Sequence, residues 1–128
     1  MARTDEKVGY LPKGERPAYT AETAASGVEE ALKVLEGRWK MIILFHLFDK
    51  GTLRFSELER AIPAVSQKML IQQLRELERD GIVLRTIYPQ IPPRVEYQLT
   101  KVGIALRPAL RALLAWAALR KQAMAPSS

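Results

Sequence analysis

Residues 56–81, SELERAIPAVSQKMLIQQLRELERDG, leave the chain little choice in how it folds. Ser56 opens a short helical stretch in which its hydroxyl is expected to cap the backbone of ELERAI. Pro63 must end that stretch, because a proline disfavours helical backbone in the residue before it. Three residues later Ser66 supplies a second capping hydroxyl. It begins a run in which Leu70, Leu74 and Leu77 form one stripe and Gly81 stands where a left-handed C-terminal residue is wanted. Two short helices joined by a turn over Pro63 to Val65 make a helix-turn-helix.

What flanks this pair sets the fold class. Residues 1–25 mix proline, glycine and charge without periodicity and are expected to form a flexible arm with little regular structure. Val28, Ala31, Leu32 and Leu35 then recur at helical spacing, and Gly37 stops the run. WKMIILFHLFDKG is apolar almost all round from Trp39 to Phe48, which predicts a buried central helix closed by Gly51. TLRF adds a few extended residues.

After Gly81 the period changes. Val83, Arg85 and Ile87 alternate with Leu84, Thr86 and Tyr88, and Val95, Tyr97 and Leu99 alternate with Arg94, Glu96 and Gln98, so two strands are expected. Between them the proline-stiffened PQIPPR cannot continue a ladder, which predicts an antiparallel hairpin with a protruding tip, the wing of DNA-binding folds. Thr100 caps a last helical segment, KVGIALRPALRALLAWAALRKQAM, with Leu106, Leu110, Leu113 and Ala117 on one stripe. Pro108 is expected to kink it or divide it in two. The expected fold is mainly α with a small β-hairpin (α+β), a winged helix-turn-helix with an extra helix at each end. The domain should span residues 26–124, followed by a tail at 125–128.

With 48% hydrophobic and 27% charged residues over 128 positions, the chain has the makings of one packed domain and not of a disordered segment. It has no cysteine, so structural disulfides, thiolate metal sites and a cysteine nucleophile are excluded. The N-terminal residues lack the apolar block of a secretory signal, and no unbroken run of eighteen apolar residues occurs, so a cytoplasmic, non-membrane protein is expected. The net charge of +6 is unevenly spread. Residues 1–52 hold eight bases and eight acids, whereas no acid follows Glu96 and Lys101, Arg107, Arg111, Arg120 and Lys121 lie beyond it. That points to an acidic polymer as partner.

Successive residues of a helix turn about 100°, so if Leu74 faces the core, then Lys68, Gln72, Arg75 and Arg79 lie opposite. Arg and Lys can pair with guanine N7 and O6, Gln with adenine, and all the cations with phosphates. Ser66 and Gln67, at the helix N-terminus, can direct hydroxyl, amide and backbone N–H groups at a phosphate or base edge. The plainer alternative is a solvated face on which Arg75, Glu76, Arg79 and Asp80 pair with one another. Arg94 follows the stiff tip, where it can be held beside the duplex or, alternatively, pair with Glu96. Arg54, leading into the helix pair, can touch the backbone. Together these features make double-stranded DNA the expected partner.

At this point a family is visible. LEGRWKMIILFHL, the long block LRFSELERAIPAVSQKMLIQQLRELERDGIVLRTIYPQIPPRVEYQLTKVG and the ending LRALLAWA resemble, in order and spacing, the HxlR family of bacterial winged helix-turn-helix regulators, over about Ser26 to Trp116. The resemblance implies a homodimer held by terminal dimerisation helices and bound to an inverted-repeat operator, usually as a repressor. A dimer through the last helix would bury Leu106, Leu110, Leu113, Leu114, Trp116 and Ala117. Many members carry a cysteine just before the first helix that senses oxidants. Ser26 stands at the matching position here, and a hydroxyl of ordinary acidity cannot replace a thiolate.

No catalytic constellation, cofactor site or metal site emerges. His46, the only histidine, lies in an apolar helix and reads as a core or interface residue; Glu29, Glu30, Glu57 and Glu59 read as solvated. Trp39 and Trp116 suggest core or dimer packing, or the walls of a pocket for an aromatic effector. Two other readings remain: a winged helix that meets an acidic protein, and a multidrug-type sensor responding to a small molecule.

Overall fold

The computed structural model describes residues 18–126 and consists of two units, Met1–Val34 and Leu35–Ser128. In the first, α1 (Ala21–Val34) starts earlier than expected. The Thr20 hydroxyl accepts the Thr23 N–H at 3.2 Å while the Thr23 hydroxyl accepts the Thr20 N–H at 2.9 Å. This is a reciprocal cap in which threonine stands where glutamate is usual. The irregular arm expected through residue 25 therefore gives way at Ala21, and residues 1–17 lie outside the described residues. None of the residues of α1 is buried, and Val28 and Leu32 are both more than half exposed.

The second unit contains α2 (Lys40–Lys50), β1 (Thr52–Arg54), α3 (Phe55–Ala61), α4 (Gln67–Arg79), β2 (Val83–Tyr88), β3 (Arg94–Leu99) and α5 (Lys101–Ala123). Its core is drawn from α2, α3, α4 and β2: Ile43, Leu44, Leu47, Leu58, Leu70, Leu74, Leu77 and Val83 are all fully buried. Helix α2 is apolar all round yet buried on one side only, since Met41, Ile42 and Phe45 stay exposed on the side away from α3, α4 and the sheet. His46 is half-buried beside them.

The first helix of the pair is capped differently from the expectation. Ser56 lies inside α3, and the carboxylate of Glu57 accepts the Arg54 N–H at 2.7 Å. Glu57 is thus a capping group and not merely solvated. Ser66 does cap α4, accepting the Met69 N–H at 3.1 Å. At the other end, Gly81 adopts φ +77°, and the N–H groups of Gly81 and Ile82 return to the carbonyls of Glu78 and Leu77. That is a Schellman closure, which satisfies two carbonyls the helix would otherwise leave open.

The hairpin forms in the register Val83↔Leu99 to Tyr88↔Arg94, with residues 89–93 as its tip. The residues of β1 add a third antiparallel strand, Thr52↔Gln98 to Arg54↔Glu96, giving the order β1-β3-β2. One corner joins several elements. The Thr100 hydroxyl caps α5 through the Gly103 N–H and donates to the Gly81 carbonyl at 2.6 Å, and the Thr100 N–H donates to Ile82.

Pro108 does not divide α5, which runs as one helix of 23 residues. The Arg107 guanidinium donates to the Phe48 carbonyl and lies 5.3 Å from the centre of the Phe48 ring. It neutralises the C-terminal end of α2, so it does not belong with the free cations of the tail. Leu110 is 4% exposed. It belongs to the core of this unit, and Leu106 is half-buried, so neither is a free surface residue. Leu113, Leu114, Trp116 and Ala117 are exposed, which takes Trp116 out of the core.

Candidate nucleic-acid interface

Leucines fix the orientation of α4. With Leu70, Leu74 and Leu77 buried, Ser66, Gln67, Lys68, Gln72, Arg75 and Arg79 all come to the exposed side. Lys68, Gln72 and Arg75, with Gln67 and Ile71, line a shallow depression along the first turns of the helix. Arg79, near its end, pairs with Asp80 at 3.3 Å and is the member furthest from that depression in sequence.

A second groove, about 620 Å³ in volume, runs between α4 and the wing. It gathers Arg54, Arg75, Arg85 and Arg94 around Glu78, with Gln90 and Pro92 on the side of the tip. Arg54 thus joins the helix face across the groove. Arg85 is not among the expected site residues, because alternation puts it on the face of Val83 and Ile87 without saying what that face meets. Its pairing opposite Tyr97 turns it into the groove, 3.6 Å from Glu78. Tyr97 supports this placement. Burial pushes its phenol up from the ordinary value, against the nearby positive charges of Arg85 and Arg75.

Arg94 is placed differently from the free wing cation that its position suggested. It is the first residue of β3, its Nε lies 3.1 Å from a Glu96 oxygen, and its guanidinium stacks 4.2 Å from the centre of the Tyr88 ring. The alternative pairing with Glu96 is the one found, because strand register sets both residues on the same side of β3. At the tip of the wing Ile91 is fully exposed.

Behind the face lies an ion pair that the sequence does not announce. Lys40 Nζ lies 2.8 Å from Glu76 Oε1, with the lysine side chain 3% exposed. The other carboxylate oxygen of Glu76 accepts from Gln72 Nε2 at 3.4 Å. Hydrogen bonds from Lys40 and then Gln72 hold the Glu76 carboxyl below the usual carboxylate range. Among the described residues, no group of three or more His, Asp or Glu side chains is arranged to hold a metal.

A helix-turn-helix, a two-stranded wing and a cationic groove between them are the arrangement of a duplex reader. The sequence model for HxlR-like helix-turn-helix proteins matches residues 34–124. The chain belongs to the HxlR-like family. Over 91 residues this HxlR-like chain is 52% identical to YtcD, an HTH-type transcriptional regulator of Bacillus subtilis, with 71% of each protein covered. Its fold is similar to that of the redox regulator HypR in its reduced form, at 44% identity and a TM-score of 0.70 over 77% of this chain and 96% of that one. It is also similar to a transcriptional regulator of the MarR family from Enterococcus faecalis, at 38% identity and a TM-score of 0.73 over 84% and 94%. The HxlR-like chain is a winged helix-turn-helix DNA-binding transcription regulator.

Proposed function

We propose that this regulator binds an inverted-repeat operator as a cytoplasmic homodimer and represses transcription by occupying the promoter. The observation that carries the reading is the face of α4: six polar or cationic residues from Ser66 to Arg79 lie exposed over a stripe of buried leucines. Placed in the major groove, Gln72 and Arg75 meet base edges and Ile71 offers an apolar surface to a thymine methyl. Arg54 and Arg85, in the groove beside the helix, meet phosphates and set the register.

The dimer reading is supported by α5. Ile104, Leu113, Leu114, Trp116 and Leu119, with Met124 just past its end, are each at least half exposed, more apolar surface than a monomer usually shows to water. By length and a mean hydropathy of 1.5 the helix is long and apolar enough to cross a membrane. Arg107 and Arg111 argue against that use, because an arginine at the centre of a span is unfavourable by about 3 kcal/mol. A second copy covers the same surface without burying those charges.

The test is to select bound fragments from genomic DNA and titrate their binding with salt. We expect an inverted repeat with half-site centres about 34 Å apart, one turn of the duplex. Affinity should fall with salt at a logarithmic slope of about 0.9 per phosphate contacted. Binding without sequence preference, or insensitive to salt, overturns the reading.

A further inference from the structure

We propose that Lys40 and Glu76 are positioning residues for base recognition: together they orient the Gln72 amide, and so set the base preference of a residue that neither of them replaces at the duplex. The inference rests on the proposed role of α4 and adds a means by which the body of the domain tunes it.

The geometry is a relay of three side chains. Lys40 opens α2, and its ammonium is buried behind α4, 2.8 Å from Glu76 Oε1. One turn earlier on α4, Gln72 reaches Glu76 Oε2 through its Nε2 at 3.4 Å. A carboxylate only accepts hydrogen bonds, so the amide must turn its NH₂ toward Glu76 and present its oxygen elsewhere. Gln72 is exposed and unbranched, and without such a partner it would sample several rotamers. Each rotamer offers a different donor and acceptor order to a base edge. Glu76 could not fill this role if it swung freely, and the buried charge of Lys40 prevents that.

The packing around Lys40 is built to admit it. Gly37 lies against this site with φ +154°, and a Cβ there would come within 2.5 Å of Gln73 Oε1 and 3.0 Å of Lys40 Cδ. The Gln73 side-chain oxygen is itself buried without a hydrogen-bond partner. Two buried polar side chains, Lys40 and Gln73, thus crowd around Gly37, where apolar residues would pack more easily. The lysine end of this pair is buried and the carboxylate end partly exposed; a charge buried in this way stabilises less than an apolar side chain of similar volume but can specify one arrangement. Here the arrangement specified includes a side chain on the reading face.

The experiment compares base preferences by selecting bound duplexes from a randomised pool, for wild type, Gln72→Ala, the charge-neutral double variant Lys40→Met with Glu76→Leu, which leaves Gln72 no acceptor at position 76, and the triple variant. Removing both charges avoids leaving an orphan in the interior. We expect the double variant to keep its salt slope and non-specific affinity while losing about tenfold in discrimination at the base pair whose preference Gln72→Ala erases. The triple variant should lose no more than Gln72→Ala alone. Should circular dichroism show the double variant unfolded, Glu76→Asp, which keeps the charge on α4 but is one methylene too short to hold its carboxylate against Lys40 and Gln72 together, should show the same loss. A folded double variant or Glu76→Asp variant with wild-type preference overturns the positioning role, as does an even loss across all positions. If Gln72→Ala itself changes no preference, the role of Gln72 at the bases falls first and the inference with it.

Discussion

Side chains on α4 divide cleanly by what they touch, and their substitution should divide the same way. Arg75→Ala and Gln72→Ala should each weaken operator binding by about 1–3 kcal/mol and relax base preference, measurable by fluorescence anisotropy on matched and mismatched duplexes. Arg94→Ala should have a smaller effect than Arg75→Ala in the same assay, because Glu96 and Tyr88 already engage its guanidinium. Glu76 gives a pH signature. Its folded carboxyl titrates below the usual carboxylate range, so the unfolded chain takes up that proton first as pH falls. The stability Glu76 contributes is therefore present above the ordinary carboxylate value and lost as pH falls through the lower, folded one. Urea unfolding should show a difference between wild type and Glu76→Gln that is largest at neutral pH and shrinks below about pH 5. The exposed face was legible from leucine spacing alone. The partner of Lys40 was not, because nothing in its own helix distinguishes a lysine that turns inward from one that points to water.

Helices and strands were legible where a local rule governs them and obscure where distant packing does. The Ser66 cap, the Gly81 closure and the two strands of the hairpin all follow from nearby residues. Glu57 replaced Ser56 as the cap of α3 because β1 ends at Arg54, one residue short of the extended TLRF expected, so the helix starts two residues sooner. That strand is itself set by pairing with β3, more than forty residues away. Pro108 failed to break α5, whose course is fixed on either side by Gly103 and Leu110, both buried. Thr100 is the element-joining residue with the clearest test. Thr100→Val removes a cap and a bond to Gly81, and should cost about 1–2 kcal/mol by chemical denaturation, with faster amide exchange at Gly103.

For the protein as a unit, the open question in the sequence was which apolar residues face inward and which face another copy, since both carry the same spacing. Leu110 and Leu113 share a stripe, yet one is buried and the other half exposed. Sedimentation should show a dimer at micromolar concentration, and Leu114→Asp combined with Trp116→Asp should shift it to monomer without unfolding the protomer. A monomeric wild type contradicts the pairing. The corner at Thr100 bears on how such a dimer meets DNA. Because one hydroxyl and one N–H fasten the end of α4, the foot of the wing and the start of α5 to each other, helix and wing travel as a single rigid reading head. In the proposed dimer, any tolerance for an extra base pair between half-operators would then be absorbed at the joint between the two copies, making that joint, and not the head, the place where operator spacing is set.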